Sequence, residues 1–185
     1  SQKNIESQVH DFLSGISAAN YHDLMSKVWQ ISGSSDERLT NTWTGGNEEL
    51  TNARINAAEQ IIQTAIDNYD YSQSDLSADQ IKSVKEKPFL HDIFESKNGP
   101  EKGVTYLTDL KNPDSKNGEN YTTAQIKEIQ EKDPKKYFSL LEKCRYINVN
   151  LMAENDNIPH IDSRPAQLET PGGELTKLEN KIPEF

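Results

Sequence analysis

A single cysteine, Cys144, stands in 185 residues. One thiol makes no intramolecular disulfide and no cysteine-based zinc site, and it fits a reducing, cytoplasmic-type compartment. Apolar side chains are scarce as well: 33% of residues are hydrophobic, 27% are charged, and mean hydropathy is -0.85. No apolar run approaches the length of a membrane span, and the opening "SQKNIESQ" lacks the charged-then-apolar plan of a signal peptide, so membrane insertion is not expected. No Lys/Arg cluster with interleaved aromatics offers a groove for DNA or RNA. Gly-rich phosphate loops, nucleophile elbows and zinc-protease helices are also missing.

What is present is unevenly charged. Residues 1–80 carry 4 basic and 12 acidic side chains, residues 81–148 carry 13 and 11, and the remainder carries 3 and 7, for a net charge of -10. The front of the chain therefore repels phosphates and anionic lipid, and the middle segment is the part expected to tolerate an anion. The length suits one domain with its own core.

Periodicity favours helices. Ile5, Val9, Phe12, Leu13 and Ile16 recur at helical spacing, and Tyr21, Leu24, Met25, Val28 and Trp29 continue the rhythm, predicting two helices or one bent helix. The stretch "SGSSDERLTNTWTGG", 32–46, reads as a long loop pinned by the indole of Trp43. Asn47 is then expected to cap a central helix running through Ala58, Ile62 and Ile66 to Tyr69. Ser77 with Gln80, and Thr122 with Gln125, are capping boxes, stapled by Leu76 with Ile81 and by Tyr121 with Ile126. Pro88 and Pro134 suit the first position of the helices that follow them, which puts "FLHDIF" on a helix. "GVTYLTDL" at 103–110 and "YINVNLM" at 146–152 have strand composition; they form a small ribbon, or the second prolongs the preceding helix. The expected fold is mainly α, a single helical domain of about six to seven helices with at most a small two-stranded β ribbon. It would occupy residues 1–155, with an extended Pro- and Gly-containing segment at 156–185.

Candidate sites are few. Every histidine has a close carboxylate: His10 precedes Asp11, His22 precedes Asp23, His91 precedes Asp92, and His160 stands two residues before Asp162. "FLHDI" resembles the core of the HD-superfamily phosphohydrolases. The resemblance implies a divalent metal that activates water, with His91 and Asp92 as paired ligands, His22 the preceding histidine and Asp162 the distant carboxylate. It also departs from that family, with Phe94 and Glu95 where a small residue and a nearby Lys are usual. In "NIPHIDSRP", the side chains of His160, Asp162 and Arg164 stand between two prolines and could orient a polar ligand. Tyr69 and Tyr71 could stack on an adenine base or a peptide aromatic, or else belong to the core. "NPDSKNGEN" fails the calcium-loop register, since Gly118 at the sixth position would put Pro113 first and Ala124 twelfth.

In composition, rich in Asn, Lys, Ser, Asp and Gln with one cysteine, the chain resembles secreted effector proteins of intracellular bacteria. That resemblance implies a cytoplasmic-type fold delivered into a host cell without a cleavable signal peptide. The function expected is a non-catalytic helical protein-interaction module without a cofactor, a domain of a larger protein with another protein as partner. The alternatives are an adenine-nucleotide-binding module using aromatic stacking, and the metal-dependent phosphohydrolase.

Overall fold

The computed structural model describes residues 2–38 and 45–153. Six α-helices are present among them: α1 (Gln2–Gly15), α2 (Tyr21–Met25), α3 (Gly46–Asn68), α4 (Ala78–Lys85), α5 (Thr123–Lys132) and α6 (Pro134–Cys144). They accompany four strands, β1 (Lys27–Asp36), β2 (Phe89–Ile93), β3 (Val104–Thr105) and β4 (Tyr146–Ala153). The fold is therefore α/β with a mixed sheet, and the mainly helical expectation is overturned. Residues 39–44 and 154–185 lie outside the described residues, and with them Trp43 and the predicted C-terminal segment.

All four strands are joined through β1. β4 pairs along it antiparallel, from Lys27↔Ala153 to Ser34↔Tyr146. β2 pairs along it in parallel, from Trp29↔Phe89 to Gly33↔Ile93, and β3 follows in parallel at Ser35↔Val104. Gly33 accepts from the Phe94 N–H and Ser35 donates to the Gly103 carbonyl. Strand residues two apart direct their hydrogen-bonding groups to the same side, so β2 and β3 lie end to end along one edge of β1 while β4 takes the other.

The strand alternates as a strand should. Trp29, Ile31, Gly33 and Ser35 face α1 and α3: Phe12 meets the Trp29 ring edge to face at 5.2 Å, and Ser35 Oγ lies 2.7 Å from Thr51 Oγ1. A Cβ at Gly33 would sit 2.8 Å from Ile55 Cγ1 and 2.9 Å from Ile147 Cδ1, so α3 approaches the sheet where it has no side chain. The main core gathers Ile5, Val9 and Leu13 of α1, Ile55, Ile62 and Ile66 of α3, and Ile147 and Val149 of β4. A second apolar cluster forms from Leu107, Leu110 and Tyr121 with Ile126 of α5 and Leu140, Leu141 and Cys144 of α6.

Several local expectations hold. Both capping boxes are present, Pro134 opens α6, and residues 146–152 are a strand. Others do not. Val28 and Trp29 end no helix but begin β1, and the first third of the expected Ser-rich loop, residues 32–36, is its second half. "FLHDI" is β2 rather than a helix behind Pro88. Residues 104 and 146 do not pair with each other; each pairs with β1. The residue before α3 is Gly45, and Asn47 instead donates its side-chain amide to the Arg38 carbonyl at 3.0 Å.

Replacing Gly33 with valine should lower stability by about 1–3 kcal/mol through overpacking against Ile55 and Ile147. Urea unfolding measures this; an unchanged midpoint would mean that α3 tolerates a wider separation from β1.

Candidate functional site

Among the described residues, the candidate metal ligands His22, His91 and Asp92 do not form a common site. His22 stands exposed on α2, edge to face with Tyr21 at 5.5 Å. His91 and Asp92 are neighbours on β2, and neighbours on a strand project to opposite faces. Accordingly His91 Nε2 lies 3.5 Å from Glu59 Oε1 of α3, whereas Asp92 accepts from Ser32 on the other side at 3.5 Å. Among the described residues no three His, Cys, Asp or Glu side chains gather as a metal site. His160, Asp162 and Arg164 lie outside the described residues. Tyr69 and Tyr71 touch edge to face at 5.0 Å, and the Tyr71 hydroxyl donates to the Ile66 carbonyl at 2.8 Å. Burial, first, and then Asp67 push that hydroxyl's pKa up to about 12. Both rings pack against the main core. Tyr69 also edges a groove of about 520 Å³ between α1 and α3, beside His10 and Leu13.

A different constellation forms at the C-terminal end of β1. The chain has sixteen lysines but only four arginines, Arg38, Arg54, Arg145 and Arg164. The three that are described gather at this end: Arg38 and Arg145 contact Asp36, a carboxylate 5% exposed, and Arg54 feels its charge. Arg38 forks onto it, Nε to Oδ1 at 3.0 Å and Nη2 to Oδ2 at 2.8 Å. Arg145, arriving from the turn between α6 and β4, sets Nε 3.2 Å from Oδ2. Arg54 comes from the third turn of α3, is 1% exposed, and donates Nη1 to Ser35 Oγ at 3.3 Å.

A hydroxyl relay holds Arg54. Thr51 Oγ1 donates to the Gly103 carbonyl at 2.8 Å, which uses its one proton, so Ser35 donates to Thr51 and turns its lone pairs to Arg54. Gly103 allows this approach by adopting φ +74°. Burial is the largest influence on Arg54 and pulls its pKa down to about 9; repulsion from Arg145 and Arg38 adds to it, and Asp36 opposes it. The group still carries its charge at neutral pH. Glu37, next along, has its carboxyl pKa raised by burial and by Asp36 and Asp109, against a lowering contact from the Leu107 N–H. The Tyr137 ring of α6 belongs to the same neighbourhood, its pKa raised by burial and then by Glu37.

The corner thus holds three like charges around one buried carboxylate, an arrangement that taxes the fold. Such a cluster presents guanidinium forks, whose geometry matches a carboxylate, beside the acidic groups Asp36 and Glu37. The regional charge count hid it, because Arg38 and Arg54 come from the acidic front of the chain. A signal was nonetheless available. Where lysine outnumbers arginine sixteen to four, the arginines mark places where a planar fork matters more than a mobile charge.

Substituting Asp36 with asparagine should cost on the order of 3 kcal/mol, because the buried Arg54 and the mostly covered Arg145 lose the carboxylate charge that offsets their repulsion. Adding Arg54→Met to that variant should recover a good part of the loss. Urea unfolding of the single and double variants reads both steps; a neutral Asp36→Asn would mean that the carboxylate does not hold the cluster together.

No protein-family model, no curated protein and no solved structure matches this chain.

Proposed function

We propose that the chain is a binding module whose site is the arginine corner at the end of β1, and that its ligand is a zwitterionic amino-acid end. The ligand carboxylate would lie against Arg145 and Arg54, and its ammonium against Asp36. The observation that carries this reading is the gathering of three described arginines about a buried carboxylate, Arg38 and Arg145 in contact with it and Arg54 within reach of its charge. An added carboxylate relieves repulsion among the guanidiniums, and an ammonium supplies Asp36 with a hydrogen-bonding cation. The position also favours a ligand site, since it lies beyond the C-terminal ends of the parallel strands β1 and β3.

This reading keeps the binding role expected from the sequence but changes what is bound. The partner is a small chemical group rather than a broad protein surface. The chemistry narrows the ligand further. An ordinary peptide terminus carries one charge, ammonium or carboxylate, never both on one carbon. A free amino acid carries both, and so does the side-chain end of a diamino diacid residue built into a polymer.

Chemical-shift titration of backbone amides should therefore show saturable changes around residues 35–38, 54 and 145 with alanine, and larger ones with meso-diaminopimelate. Arg54→Gln and Asp36→Asn should each weaken that binding roughly tenfold or more, the worth of a charge-assisted hydrogen bond. Saturation at the α1–α3 groove instead, or no saturation with any zwitterion, would refute the assignment.

A further inference from the structure

Within the corner, Asp36 and its fork partner differ sharply in exposure: the Asp36 side chain is 6% exposed and that of Arg38 is 47%. The backbone of Arg38 is fixed independently of its guanidinium. Its N–H donates to Asp36 Oδ1 at 3.0 Å, and its carbonyl accepts from the buried Asn47 amide at 3.0 Å. The guanidinium can therefore leave Asp36 without the chain moving. Near it, Arg145 is 16% exposed at the side chain and Arg54 is 1% exposed, so of the three arginines the fork on Asp36 is the one most open to water.

We infer that Arg38 is a built-in stand-in for the ligand's ammonium, seated on Asp36 until a zwitterionic end displaces it; this rests on the reading of the corner given above. A half-exposed ion pair is worth little net in water, so Arg38 gives way at small cost, while the buried pair of arginines stays to hold the carboxylate. Selectivity follows. A plain carboxylate brings no cation to replace Arg38 on Asp36, so it leaves the cover in place; a zwitterion brings its own replacement.

The test uses the full 185-residue chain and two probes of equal length, meso-diaminopimelate and pimelate, which lacks the amines. Arg38→Gln keeps the side-chain stem and removes the charge. Affinity for meso-diaminopimelate should rise roughly fivefold, the upper worth of an exposed ion pair, and affinity for pimelate should not rise. Arg38→Ala should move both affinities in the same directions, which excludes a new hydrogen bond from the glutamine amide. Weaker or unchanged binding of meso-diaminopimelate by both variants overturns the stand-in role and leaves the corner standing as a site. Failure of the parent chain and both variants to bind meso-diaminopimelate overturns the site and the stand-in together.

Discussion

The structure depends on the two-sided ladder of β1. Among the described residues every other strand pairs with this one and none pairs with another, so Lys27–Asp36 is at once the centre of the sheet, the floor under α1 and α3, and the arm that carries Asp36. Gly33 lets Ile55 of α3 come close, and Ser35 meets Thr51 one turn earlier on the same helix. That close approach places Arg54 against the strand end. β4 starts at the same end, which brings Arg145. The arginine corner is thus a consequence of how three elements must pack on one strand.

Lys87 shows the same dependence at the opposite end. It is buried, and its Nζ donates to the carbonyls of Met25 and Lys27, so the segment leading into β2 is tied to the segment leading into β1. Burial lowers its pKa. The parallel β1–β2 pairing is therefore anchored at its start by a side chain and at its end by Phe94, 1% exposed, whose N–H reaches the Gly33 carbonyl.

Helix ends were readable in the sequence because their signals are local. Ser77 with Gln80 and Thr122 with Gln125 need only each other, and both boxes close as expected. β1 was unreadable for a physical reason: its second half, "SGSSD", has almost no apolar content, since Ile55 and Ile147 fill the space at Gly33 and the hydroxyls of Thr51 and Thr105 face its serines. Small polar residues in a buried strand and in a loop look alike in sequence. "FLHDIF" misled in the other direction, because six residues with four apolar members satisfy helical and strand periods equally. The arginine corner joins residues 36, 38, 54 and 145 and has no linear motif; only the rarity of arginine beside abundant lysine marks it.

On the binding role proposed for the corner, these charges are held together for a ligand and at some cost to stability. Replacing a buried ion cluster with apolar side chains of similar size commonly leaves stability unchanged or raises it. The most direct measurement is the unfolding free energy of the triple variant Asp36→Leu, Arg54→Met, Arg145→Leu, with meso-diaminopimelate binding followed on the same sample. Stability equal to or above that of the parent, with binding abolished, is the result expected. A loss of about 3 kcal/mol or more, the scale of a broken buried pair, would contradict it and make the cluster a structural clasp.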